Sequence, residues 1–280
     1  MSREMRVIWL AFRARRALGL AQFGRPARPA ALPEAKWFPG GQIQTKTLEG
    51  QVAYEITPDS YERTLIYLHG GGYVQPISKF HWLLLGEIFR DGATRIVVPR
   101  YGLSPRFNVD HALALMTSVL ENYGAGKILL AGDSAGGGLA LALAQKPDWQ
   151  ATLSGLLLIA PWIDSEFGQP DIETYNQRDP WLTPDALQYI ANAWSAVGDY
   201  RRVEVSPLRG NFVGLPKTQL FIGDHDLLYP DAAALATKLT EAGIQLGYEA
   251  LQGALHVYPL LPTPEGESAR AKIRNWIKSI

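Results

Sequence analysis

Lys127-Ile128-Leu129-Leu130-Ala131-Gly132-Asp133-Ser134-Ala135-Gly136-Gly137-Gly138, continued by Leu139-Ala140-Leu141-Ala142-Leu143-Ala144, is the stretch around which the chain is organised. It opens as a short, mostly apolar run of strand length and closes in strong helix formers. Strand, glycine-flanked serine and helix in unbroken succession are the context that a Gly-x-Ser-x-Gly nucleophile turn requires. A serine at such a bend is held in strained backbone geometry, and Gly132 and Gly136 leave room where side chains would meet neighbouring elements. The helix that opens at Ser134 aims its free N–H groups and positive dipole end at the place where an oxyanion would form. A glycine-rich turn opening an ordinary packed helix reads the same way, so the rest of the chain must decide.

With 280 residues, 47% of them hydrophobic, the chain can fill the core of one large α/β domain. The formal net charge is zero, and no overall electrostatic footprint for nucleic acid follows. Absence of cysteine excludes disulfides, thiolate zinc sites and a cysteine nucleophile, and suits a reducing, cytoplasmic setting. No apolar run reaches the roughly 18 residues that a bilayer span needs. Residues 1–30 hold seven arginines against one acid, Glu4. Arg13, Arg15 and Arg16 interrupt the apolar core that a cleaved signal would need. A helix over about Arg6 to Leu20 would carry Arg6, Arg13 and Arg16 on one side and Val7, Leu10, Ala14 and Leu18 on another. A docked cap helix with a solvated basic stripe is the plain reading; weak membrane-surface contact and an organelle transit segment are the sharper ones.

After a Pro/Ala/Gly-rich connector, Phe23 to Gly41, strands are expected at Gln42–Leu48 and Gln51–Ile56, turning at Glu49-Gly50. From Thr64 the pattern alternates. Strands at Thr64–Leu68, Thr94–Val98, Lys127–Ala131, Gly155–Ala160, Thr218–Gly223 and Gly247–Leu251 are separated by helices at Phe80–Arg90, Asp110–Tyr123, Ser134 onward, Asp231–Ala242 and finally Ala269–Ile280. Such an order implies right-handed crossovers around a mostly parallel sheet, with the ligand site at the strands' carboxyl ends. Residues 165–205 break the alternation, with one helix starting at Thr183-Pro184 and running to about Ala196. One domain, 1–280, is expected, with residues 1–40 and 165–205 as pieces of a cap.

A serine hydroxyl needs a base, and the base needs an orienting group. His256 is the histidine C-terminal to the last expected strand and is the candidate base; His81 and His111 fall in or beside helices, and His225 reads as a loop residue. Asp224, Asp226 and Asp231 follow the strand Thr218–Gly223. Asp231 suits the first turn of the next helix, and Asp226 is preferred to Asp224 because the orienting acid usually sits a few residues out from the strand. His69-Gly70-Gly71-Gly72 ends a strand on the same edge, so the N–H groups of Gly71, Gly72 and Ala135 are the candidate oxyanion donors. No His-Glu-x-x-His, Walker lysine or dinucleotide glycine spacing is present, and neither cofactor nor metal is expected.

Together, His69-Gly70-Gly71-Gly72-Tyr73, Gly132-Asp133-Ser134-Ala135-Gly136-Gly137, Pro161-Trp162, Ser206-Pro207-Leu208, Gly223-x-x-Asp226-x-Leu228 and the late His256 resemble the hormone-sensitive-lipase family of α/β-hydrolase esterases and lipases, over about residues 64–260. The resemblance implies the α/β-hydrolase fold, Ser134 as nucleophile, Asp226 as orienting acid, His256 as base, and short- to medium-chain acyl esters as substrates. Tyr101-Gly102-Leu103-Ser104-Pro105 is similar to another family stretch, but Arg100 and Arg106 stand where acids are usual, and Val257 stands where glycine is frequent. Tyr73, Trp162 and Trp181, with Tyr175, Tyr189 and Trp194, are candidates for an apolar substrate wall, although lid packing uses such residues too. An amidase or small-metabolite deacetylase, or a hydrolase-like ligand-binding protein, is the alternative. A small ester is the expected partner, with a homodimer left open.

Overall fold

The computed structural model describes residues 1–17, 27–196 and 198–280. Strands β1 (Gln42–Leu48), β2 (Gln51–Thr57), β3 (Arg63–Leu68), β4 (Thr94–Pro99), β5 (Lys127–Asp133), β6 (Leu153–Ile159), β7 (Thr218–His225) and β8 (Leu246–Leu255) make one sheet in the order β1-β2-β4-β3-β5-β6-β7-β8. β1 and β2 pair antiparallel, as do β2 and β4, and every other pairing is parallel. Helices α1 (Arg3–Ala17), α2 (Lys79–Phe89), α3 (Val109–Tyr123), α4 (Ser134–Ala144), α5 (Pro147–Gln150), α6 (Ile172–Arg178), α7 (Pro184–Trp194), α8 (Tyr229–Glu241) and α9 (Pro264–Lys278) accompany it. No helix among the described residues is long and apolar enough to cross a membrane.

Every residue of β3 is buried, as are all but the first of β5. Continuous apolar strands of this kind belong at the centre of a parallel sheet covered on both faces. Register then places the chemistry. Leu68 pairs with Gly132 and Asp133 with Ile159, so the turns after β3, β5 and β6 leave the sheet at one level. His225 pairs with Leu255, which delivers the turns after β7 and β8 to the same edge.

Several elements depart from the expected bounds, each for a local reason. α9 begins at Pro264 rather than Ala269, because the Thr263 Oγ1 accepts the Gly266 N–H at 3.1 Å and proline suits the first turn. β8 runs on to Leu255, carried past Gly253 at φ +73°. α6 is a helix additional to the one expected between residues 165 and 205. α1 is turned from its expected orientation: Val7 and Leu10 are exposed, while Met5 is buried and Ile8, Trp9 and Phe12 pack on the core. The larger side chains at helical spacing win the docked face. The expected continuation of that helix to Leu20 lies outside the described residues.

Candidate active site

Ser134 occupies the turn between β5 and α4 at φ +50°. Left-handed backbone is costly for a residue with a side chain and needs support from its surroundings. That support is steric. A Cβ on Gly136 would lie 2.0 Å from the Leu68 carbonyl oxygen, and one on Gly132 would lie 2.3 Å from the Gly136 oxygen. The bend therefore closes only with glycine at both positions. On its far side, the Trp162 N–H donates to the Ser134 carbonyl at 2.9 Å.

Ser134, Asp226 and His256 come together. The Ser134 Oγ is 2.9 Å from His256 Nε2, and His256 Nδ1 is 2.8 Å from Asp226 Oδ2. Asp226 Oδ1 accepts the Leu228 N–H at 2.9 Å. Asp226 and His256 are buried, whereas Ser134 is half-buried and open to a reactant. Burial pushes the His256 imidazole down; the charge and hydrogen bond of Asp226, with Asp179 and Asp133 behind it, outweigh this and raise its pKa above the ordinary value. The arrangement can pass the Ser134 proton to His256 Nε2 while Asp226 steadies the ring and the imidazolium that forms.

The turn after β3 lies alongside. Gly71 and Gly72 sit at φ +126° and +61°, and a Cβ on Gly71 would meet the Gln75 oxygen at 2.4 Å. Asp133 anchors this turn: its Oδ1 accepts the Gly70 N–H at 2.8 Å and the Tyr67 hydroxyl at 2.7 Å, and His81 Nε2 lies 3.3 Å from Oδ2. Burial works against the Asp133 carboxylate, but His81, Tyr67 and Gly70 together hold its pKa below the usual range. His69, pushed down to about 4 chiefly by burial, is neutral and stacks on Tyr101, whose hydroxyl donates to the His69 carbonyl. The Gly71, Gly72 and Ala135 N–H groups are left without acceptors among the described residues.

Other residues fall differently from their expected places. His81, expected as an ordinary helix residue, is part of the buried network behind the glycine turn. Asp224 Oδ1 accepts the Gly253 N–H and lies 2.8 Å from His225 Nδ1, so it ties β7 to β8. Asp231 is in the first turn of α8, but it is buried; burial and the charge of Asp164 raise its pKa well above the carboxylate range. Of the aromatic residues, Trp181 stands edge-on to His256 at 5.4 Å between centroids. Tyr73 is buried, stacked on Trp194 at 3.9 Å, and donates its hydroxyl to the Ala135 carbonyl. Trp162 is buried with its Nε1 on the Asp164 carbonyl, Tyr175 stacks on Tyr229, and Tyr189 is 77% exposed.

Asp179 is a neighbour that no motif announces. Its Oδ1 accepts the N–H groups of Trp181 and Leu182, and its Oδ2 accepts that of Leu227, beside Asp226. Burial and the Asp226 charge raise its pKa. From α1, the Arg16 guanidinium donates to the carbonyls of Asn176, Asp179 and Leu182 and to Asn176 Oδ1, and Phe12 stacks on Trp181 at 4.6 Å. Arg16 is thus a clamp rather than a member of a solvated stripe.

Known proteins share this architecture. A profile for the alpha/beta hydrolase fold matches residues 65–260. An acetyl-hydrolase of Streptomyces hygroscopicus is 31% identical over 218 residues, covering 74% of this chain and 72% of that protein. The esterase LipU of Mycobacterium tuberculosis is 29% identical and covers 80% of each. Among solved structures, a double mutant of the esterase E40 superposes with a TM-score of 0.81 at 25% identity, over 99% of this chain and 98% of the other. An esterase of the bacterial hormone-sensitive lipase family reaches 0.82 at 24% identity over 100% and 98%, a likeness of fold. On the span of the profile match and the identity to the acetyl-hydrolase, the chain belongs to the α/β-hydrolase-fold family.

Proposed function

We propose that this protein is a serine carboxylic ester hydrolase that works through an acyl-enzyme. The observation that carries the reading is the unbroken relay from Ser134 Oγ through His256 to Asp226, at 2.9 and 2.8 Å. Ser134 Oγ attacks the acyl carbonyl as His256 takes its proton, and the N–H groups of Gly71, Gly72 and Ala135 receive the oxyanion. His256 then gives the proton to the leaving alcohol. Water, deprotonated by the same imidazole, releases the acid and restores the serine. Esterase and acetyl-hydrolase relatives support ester over amide chemistry. Trp181, edge-on to His256, forms one wall for a short- to medium-chain substrate, with Tyr73 and Trp162 as packed support beneath. Residues 1–40 and 165–205 act as a cap.

The test is Ser134→Ala. Its turnover of a short-chain aryl ester falls by roughly 10³ or more, its melting temperature stays near the parent's, and a fluorophosphonate that labels the parent stoichiometrically fails to label it. Near-normal turnover by the variant overturns the assignment. Matched ester and amide substrates separate the reading from an amidase.

A further inference from the structure

Apart from the triad, the catalytic edge of the sheet carries a cavity of about 440 Å³ whose walls include both Arg100 and Arg106 and no acidic residue. Ser134, Asp226 and His256 do not line it. It lies where β2 begins and β4 ends, and it meets the glycine turn at His69.

Several arginines of this chain have carboxylate partners, Arg63 at 3.3 Å from Asp91, Arg202 at 2.7 Å from Asp110 and Arg270 at 2.8 Å from Glu87, and Arg16 is held by backbone carbonyls. Arg100 and Arg106 have no carboxylate partner among the described residues, and Arg106 only overlies the Phe107 ring at 5.5 Å. Residues 18–26, which lead into Ala27 on the cavity wall, contain no Asp or Glu. Arg100 is half-buried, and a half-buried guanidinium without a counter-charge is an unfilled set of planar donors, matched in geometry to a carboxylate; Arg106 adds a second, exposed cation at the rim. Val52, Leu103 and Phe107 supply apolar wall.

We propose that this cavity binds a small organic carboxylate, its anionic head on Arg100 and Arg106 and its hydrocarbon body against Leu103 and Phe107. Such a carboxylate has two sources, the free acid that ester hydrolysis yields or a distal carboxylate on the ester itself. The binding claim stands without the catalytic reading, although the second source rests on it.

Hexanoate, titrated calorimetrically into the full chain, binds saturably at one site, and hexan-1-ol does not. Arg100→Ala and Arg106→Glu each weaken hexanoate by at least about tenfold, whereas Ser134→Ala leaves it unchanged. Arg106 is exposed, so its variant keeps the fold, checked by its melting temperature. No saturable binding, or binding that survives both arginine replacements, overturns the proposal. Kinetics then separate the sources. If the carboxylate belongs to the substrate, Arg106→Glu raises KM for monomethyl adipate about tenfold and leaves methyl hexanoate alone. If it is a separate ligand, both KM values hold, and hexanoate changes methyl hexanoate turnover in the parent only. Failure of the ester-hydrolase reading would appear instead as no turnover of either ester, with the calorimetry intact.

Discussion

On the proposed mechanism, Ser134 can be activated only while its neighbouring imidazole is neutral. Because Asp226, Asp179 and Asp133 together outweigh burial and raise the His256 pKa, the acid limb of kcat/KM has its midpoint above the ordinary histidine value of about 6.5. Asp179→Asn removes one of the charges responsible, so the midpoint moves down; a pH–rate profile of that variant with an unmoved midpoint would contradict the electrostatic role given to it. The same shift has a stability consequence of definite sign. Stabilisation from the protonated ring is complete below about pH 6.5 and is lost as pH rises through the folded-state pKa. Space is equally exacting. With a Cβ only 2.0 Å from the Leu68 oxygen, Gly136→Ala costs about 1–3 kcal/mol in urea unfolding and lowers activity by displacing the bend. Val257 at φ +50° occupies left-handed backbone, which a β-branched residue tolerates poorly and glycine adopts freely. Ser134, Asp226 and His256 were legible because each comes just after a strand and in the right chain order. Asp179 was not, since its partners are backbone N–H groups that only the fold brings to it.

At the level of elements, α1 is the piece that periodicity misjudged. Counting apolar letters put Val7 and Leu10 inside; the docked face is set instead by Met5, Phe12 and the reach of Arg16. That reach has a measurable effect. Arg16→Ala removes charge-assisted bonds to three carbonyls, worth roughly 1.5–3 kcal/mol, and frees the segment that holds Trp181 against His256. A rise in KM with a red-shifted tryptophan emission and a lowered unfolding midpoint is the expected signature. If KM and emission stay at parent values, α1 does not control the site. The helices α4 and α7 were readable from the glycine-flanked serine and from Thr183-Pro184. The onset of α9 was missed although Thr263-Pro264-Glu265 carries cap, proline and acid together, because its first turn has few apolar residues.

For the molecule as a whole, alternation of apolar runs and helical stretches was enough to give a mostly parallel sheet. Strand order was not readable, because placing β4 between β2 and β3 is a property of long-range pairing. Zero formal charge and a sequence pI near 7.0 leave little mutual repulsion near neutrality. Solubility in low salt should pass through a minimum close to pH 7 and recover by pH 9, which turbidity at fixed concentration will show; a minimum far from neutrality would mean that specific contacts, rather than net charge, govern association.

The spacing of the reacting groups along the chain also governs how much of it is needed to act. The glycine turn and Ser134 lie before residue 136, yet the His256 imidazole comes just after β8, an edge strand paired in the sheet with β7 alone. Glu87 on α2 is gripped by Arg270 and Arg274 on α9. On the proposed mechanism, a chain truncated ahead of His256 keeps the hydroxyl but lacks its base, so such a truncation is expected to turn over esters no faster than Ser134→Ala.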